Sequence, residues 1–259
     1  PNERFGQTVV ISNDGNVMVI GAYTSALDGI RDPIIGVGAV YIFTRSANNW
    51  VFKQRLTYDK PTSRLGFGTS LSLSLDGSVI AVGMPGYYVP SGQPILRGAA
   101  AVLRKIGTDT WKLESTLLAP DQETFFGTSG STIAISGDGN TIAVGDPIFA
   151  DAADVTFFNE NPASRSNQQF AAKGRVLIYK YANAAWTFTQ EVRPDPNYYG
   201  PVTHANYLIA QLRFGSTIIL NNNGKTLLIA TRKQACAYDF SVNDMVFVFR
   251  PNTSNLYTI

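Results

Sequence analysis

The chain has 259 residues, 44% hydrophobic and 15% charged, with 23 Gly, 13 Pro, 15 Phe, 12 Tyr and 3 Trp. Soluble domains usually carry about a quarter charged residues, so the charge is low and the aromatic share high, which excludes a disordered chain and a coiled coil and suits a β-rich domain whose turns absorb the glycines. With 21 Lys+Arg against 19 Asp+Glu, the balance gives no field that would gather nucleic acid or anionic lipid. No stretch approaches the roughly 18–20 uninterrupted apolar residues of a membrane span, so neither a nucleic-acid partner nor direct membrane insertion is expected.

Cys236 is the single cysteine and His204 the single histidine. An intrachain disulfide, a cysteine zinc site, a multi-histidine metal site and most hydrolytic triads are thereby excluded. The chain opens Pro1-Asn2-Glu3-Arg4, with no initiator Met and no signal pattern, and the expectation is a processed chain or a segment of a longer one.

Four segments repeat. The first runs Phe5-Gly6, Asp14-Gly15, Val19-Ile20-Gly21-Ala22, Gly38 to Phe43, then Trp50. The second runs Phe67-Gly68, Asp76-Gly77, Ala81-Val82-Gly83-Met84-Pro85, Gly98 to Leu103, then Trp111. The third is aligned as Phe126-Gly127, Asp138-Gly139, Ala143-Val144-Gly145-Asp146-Pro147, Gly174 to Tyr179, then Trp186. The fourth has Phe214-Gly215, Asn223-Gly224, Leu228-Ile229-Ala230, Met245 to Phe249, and Leu256 or Tyr257 in place of the Trp. Asp14 to Asp76 and Asp76 to Asp138 are both 62 residues, while Asp138 to Asn223 is 85, an excess of 23.

Each unit predicts four strands. Strand A follows the Phe-Gly pair and alternates, as in Leu71, Leu73 and Leu75 between serines, the period of a strand with one buried face. An Asp-Gly or Asn-Gly pair then makes a tight turn. Strand B is a continuous apolar run such as Val79 to Val82, strand C is Val40 to Phe43 and its copies, and strand D starts at the Trp and ends at Leu56, Leu117 or Val192. Helical periodicity is missing throughout. Four-stranded antiparallel units at this spacing are the signature of propeller blades, each burying its core face against its neighbours. The fold expected is therefore an all-β propeller region over 1–259, with blades at about 5–59, 67–121, 126–195 and 214–259.

The Phe-Gly pairs, together with Val-Gly-Met-Pro at 82–85 and Val-Gly-Asp-Pro at 144–147, resemble FG-GAP repeats, the blades of integrin α-subunit-like propellers. That resemblance implies a non-enzymatic extracellular or cell-surface module. It also implies seven blades, which at this spacing need roughly 434 residues; the expectation is part of a longer ring, with a four-bladed ring as the alternative. Many such blades hold calcium between strands A and B, but calcium wants six to eight oxygens. Turns such as Ser12-Asn13-Asp14-Gly15-Asn16 and Ser74-Leu75-Asp76-Gly77-Ser78 offer one carboxylate each. No metal, no catalytic residue and no cofactor are expected.

In an up-and-down blade the A–B and C–D turns share one edge, and the B–C and D–A connections the other. The extra residues of the third interval fall in two loops on that second edge, 148–173 and 196–212, and loops carry function more often than scaffold does. Phe149, Phe157, Phe158 and Phe170 lie in one, Tyr198, Tyr199, His204 and Tyr207 in the other, with Tyr87 and Tyr88 on the same edge from blade two. Tyr87, Tyr88, Phe157, Phe158, Tyr198, Tyr199 and His204 are candidates for contact with a protein or glycan partner; the alternative is that such rings anchor the loops onto the scaffold. Trp50, Trp111 and Trp186 are expected to pack between outer strands. Asn252-Thr253-Ser254 is the only N-glycosylation sequon, making Asn252 a candidate acceptor.

An interaction module in a larger assembly is thus the expected function. One alternative is an enzyme domain, a glycan lyase or hydrolase with its site in the propeller channel. The innermost strands, aligned as Gln7-Thr8-Val9-Val10, Thr69-Ser70-Leu71-Ser72, Thr128-Ser129-Gly130-Ser131 and Ser216-Thr217-Ile218-Ile219, are poor in acids and bases for that purpose. Another is a sugar-binding lectin propeller, against which the blade-to-blade differences in the loops count.

Overall fold

A computed structural model describes residues 3–24, 36–60, 64–87, 98–120, 130–149, 173–195, 213–232 and 245–259. They form four four-stranded antiparallel sheets and no helix. The first sheet is β1 (Thr8–Ile11), β2 (Val17–Ala22), β3 (Ala39–Ser46) and β4 (Asn49–Leu56). The second is β5 (Leu71–Leu73), β6 (Val79–Met84), β7 (Ala99–Gly107) and β8 (Thr110–Leu117). The third is β9 (Thr132–Ile135), β10 (Thr141–Asp146), β11 (Arg175–Ala182) and β12 (Ala185–Val192), and the fourth β13 (Thr217–Leu220), β14 (Leu227–Ala230), β15 (Val246–Pro251) and β16 (Tyr257–Thr258). Within each sheet the spatial order is the chain order. The strands therefore alternate in direction, and the two kinds of connection emerge on opposite edges as expected.

The turns between first and second strands explain the spacing of the Asp-Gly pairs. Gly15, Gly77, Gly139 and Gly224 have φ between 66° and 71°, which an L side chain adopts only with strain. The acidic residue before each glycine closes the turn: Asp76 Oδ1 accepts from the Ser78 amide (3.0 Å) and from the Ser74 and Ser78 hydroxyls (2.8 Å each). The fourth turn does the same with amides, Asn221 Oδ1 accepting from the Lys225 (2.8 Å) and Thr226 (2.9 Å) nitrogens.

The sheets pack in chain order, each laying its back on the front of the next. Val17, Val19, Val40 and Ile42 on the back of the first sheet meet Leu71, Ile80, Val82 and Leu103 on the front of the second. Val79, Ala81, Ala100 and Val102 meet Ile133, Ile142, Val144 and Leu177 in the same way. Ala134, Ala143, Val176 and Ile178 meet Ile218, Leu227, Ile229, Phe247 and Phe249. Small β-branched or Ala backs against larger fronts interdigitate to native density, which is where burial stabilises such a stack.

A polar latch fixes the spacing at each junction. Thr8 Oγ1 donates to the Gly68 carbonyl (2.9 Å), Ser70 Oγ to Gly130 (2.7 Å) and Thr132 Oγ1 to Gly215 (2.6 Å). At the turn ends, the Asn13 amide donates to Leu75 (3.0 Å), that of Leu75 to Gly137 (3.0 Å), and that of Gly137 to Asn222 (2.8 Å). The latch corrects the third repeat. Gly130, with φ 90°, stands where Gly6, Gly68 and Gly215 stand, with φ of 88°, 92° and 90°. The unit therefore starts at Gly130, 62 residues after Gly68, and not at Gly127. Its first strand reads Ser131-Thr132-Ile133-Ala134. Phe126 and Gly127 themselves lie outside the described residues.

The tryptophans do not share one environment. Trp111 is 1% exposed, its Nε1 donating to the Gly77 carbonyl (3.0 Å), and Gln54 of β4 bonds both its amide (2.9 Å) and its carbonyl (3.0 Å). Trp186 Nε1 reaches Glu114 of the second sheet (2.9 Å). Tyr257, rather than Leu256, takes the position in the fourth sheet: Gln190 bonds its amide (2.7 Å) and carbonyl (2.8 Å), repeating the Gln54–Trp111 bridge. Trp50 departs from the expectation at 38% exposed, because it sits on the front of the first sheet, where no sheet precedes it.

Candidate functional site

The second edge of the third sheet breaks the repeat. Where β2 ends and β3 begins, Ala22 pairs with Ala39, and Met84 pairs with Ala99 in the second sheet, all fully buried. In the third sheet the same register pairs Asp146 with Arg175. Both are buried, and Arg175 Nε lies 3.2 Å from Asp146 Oδ2. The backbone that seats them is ordinary: the Phe149 amide donates to Asp146 (3.2 Å) and the Gly174 amide to Phe149 (3.2 Å), so the two long-loop stems are closed by the same turn.

Around this pair a charged cluster converges. The Arg175 guanidinium carbon stands 3.6 Å from the centre of the buried Phe149 ring, with Arg193 on the same ring at 5.0 Å. Glu191 Oε1 accepts from Arg193 Nε (2.5 Å) and its Oε2 lies 3.8 Å from Arg175 Nη1. A buried guanidinium stacked on an aromatic face and held by carboxylates is rigid, and a rigid planar fork suits recognition of carboxylate or planar polar groups. These residues are the stems of both long loops: Asp146 and Phe149 lead into 150–172, Arg175 leaves it, and Glu191 and Arg193 lead into 196–212.

Of the residues singled out from sequence, Tyr87 is on this edge. It is half-buried and packs edge-on against Tyr58 (centroids 6.0 Å, 84°), which itself stacks on Phe67. Burial, then the neighbouring Tyr58, raises its hydroxyl pKa above the usual phenol value, so here the ring anchors a loop stem. Tyr88, Phe157, Phe158, Tyr198, Tyr199 and His204 lie outside the described residues, as do Phe170, Tyr207 and Cys236. Asn252 is exposed in the β15–β16 turn, its Oδ1 accepting from the Ser254 (2.9 Å) and Leu256 (3.1 Å) amides. Asp146, Arg175, Glu191 and Arg193 were not among the sequence candidates. The signal that finds them is a comparison across repeats: after the strand-B glycine stand Ala22, Met84 and Asp146, and before strand C's apolar run Ala39, Ala99 and Arg175.

Among the described residues no three His, Cys, Asp or Glu side chains converge as metal ligands, and no helix is long and apolar enough to cross a membrane. The A–B carboxylates are engaged inside their turns instead. Hydrogen bonds from Ser12 and Asn16 hold Asp14 below the ordinary carboxylate value. At Asp76 and Asp138 burial pushes the other way but is outweighed by bonds from Ser78 and Ser74, and from Ser136 and Asn140. A folded pKa below the unfolded one contributes stability above the unfolded value of about 3.9, which is lost as pH falls through the folded value. The Asp76→Asn/Asp138→Asn variant should therefore lose less of its urea midpoint than the parent between about pH 6 and about pH 3. An equal loss would show that the turn carboxylates do not govern acid stability.

No model of a known protein family matches the chain, and no curated protein does.

Proposed function

We propose that the four sheets are blades of a β-propeller of the FG-GAP kind, and that the chain is a non-enzymatic interaction module displayed outside the cell or at its surface, binding a protein or glycan partner through the edge that carries residues 148–173 and 196–212. The observation that carries this reading is the substitution of a buried ion pair, stacked on Phe149, for the apolar pairs of the other sheets at the root of both expanded loops. Scaffold packing does not require it, since Ala22/Ala39 and Met84/Ala99 serve the same position. The phase of the repeats supports the blade reading: the glycine, the turn, the junction latch and the strand-D aromatic recur together. The enzyme alternative is weakened by the first strands, whose Thr8, Ser70 and Thr132 hydroxyls are bound to backbone carbonyls of the next sheet rather than offered to a substrate.

The test pairs binding with turnover. The chain and a variant with both loops cut to the length of their second-blade counterparts are passed over immobilised glycans and cell-surface proteins, and polysaccharides are assayed for new reducing or unsaturated ends. The expected result is a ligand retained by the parent, lost by the folded variant, and released uncleaved. Polysaccharide turnover, or binding that survives the shortening, overturns the proposal.

A further inference from the structure

The two ends of the stack are unlike each other but match the two halves of every internal junction. The front of the first sheet exposes Phe5 (52%), Val9, Ile11 and Phe52, the counterparts of Phe67, Leu71, Leu73 and Leu113, which pack into the first core. The back of the fourth exposes Ile219 (56%), Val246 (66%) and Val248, the counterparts of Ala134, Val176 and Ile178. The first and last first-strands, β1 and β13, do not pack on one another as β1/β5, β5/β9 and β9/β13 do. Head to tail, the back of one copy therefore offers the front of another the apolar shape that seats the sheets within the chain.

One atom breaks that match. At each internal junction a glycine faces the latch: Gly21, Gly83 and Gly145, paired across the sheet with Thr8, beside Leu71, and with Thr132. A Cβ at any of the three would stand under 3.0 Å from both the carbonyl oxygen of the next sheet's glycine and the hydroxyl of its own latch residue. The fourth sheet carries Ala230 there, paired with Thr217. Its methyl occupies the place where the incoming carbonyl has to sit, and displaces the Thr217 hydroxyl from the latch position.

We propose that Ala230 is a stop residue, which keeps the back of the fourth sheet from seating on the front of the first sheet of a second copy. Edge and face exposure of this kind otherwise invites open-ended head-to-tail association, because a heterologous contact that does not close extends into a filament. A methyl in a close-packed polar junction is a small change with a large steric effect, since the atoms it meets are backbone and cannot turn away.

The experiment is the oligomeric state of the full chain by sedimentation over a range of concentrations. The parent should sediment as a monomer, and Ala230→Gly should associate at a concentration at least about tenfold lower than the parent. Ala230→Gly/Thr217→Val, without the latch hydroxyl, and Ala230→Gly/Phe5→Glu, with a carboxylate in the opposing face, should both return toward the parent. A variant that stays monomeric, whether its end faces remain open or close on each other, overturns the proposal. So does a parent already associated head to tail, or association that Phe5→Glu leaves intact. Gly145→Ala tests the steric premise independently of whether Ala230→Gly folds: it should lower the urea midpoint of the chain, and an unchanged midpoint overturns the proposal as well.

Discussion

Replacing Trp111 by Ala is expected to lower the stability of the chain by about 3–5 kcal/mol, the range for truncating a large buried aromatic. The indole is 1% exposed, bonded through Nε1 to Gly77 and bracketed by Gln54 of the preceding sheet, with the Lys105 ammonium 4.9 Å from its ring. The truncation opens a cavity between two sheets and leaves the Gly77 carbonyl without that donor. Trp50→Ala, at the matching position of the first sheet, should cost no more than about 1 kcal/mol, because a partly exposed side chain leaves little cavity behind. Urea midpoints of the two variants check both figures. A Trp50 cost equal to that of Trp111 would mean that the front of the first sheet is covered in solution.

The contrast between these two tryptophans marks what the sequence made legible. Strand boundaries, turn positions and the order of elements follow from short-range signals: alternation in Leu71-Ser72-Leu73, an Asp-Gly pair every 62 residues, an aromatic opening each fourth strand. Position in the stack is not a local property, so nothing around Trp50 distinguishes it from Trp111. The third repeat was aligned three residues early because Phe126-Gly127 matches the pair by residue type. What the position demands is a glycine near φ 90° with a hydroxyl two residues on, which Gly130 and Thr132 provide and which tolerates the loss of the Phe. The Asp146–Arg175 pair stayed hidden for another reason. Each residue is unremarkable in its own strand, and only register across β10 and β11 makes them partners.

That register sets up the second large effect. Asp146→Ala should destabilise the chain by about 3–5 kcal/mol, the cost of leaving one member of a buried pair uncompensated. Arg175 is 3% exposed, and with Asp146 gone the carboxylate of Glu191, 3.8 Å from Nη1, is a longer and more exposed counterion. Removing both charges has a different expected outcome. The Asp146→Met/Arg175→Ala variant copies the Met84/Ala99 pair of the second sheet, and apolar replacement of a buried ion pair is often neutral or stabilising by about 1–4 kcal/mol. The double variant should therefore melt like the parent or above it while losing the ligand bound through the loop edge, because Phe149 no longer carries the guanidinium that orders the loop stems. Stability and binding would then separate in one pair of variants. If the double variant is as unstable as Asp146→Ala, the pair belongs to the scaffold; if it keeps full binding, the edge recognises its partner without it.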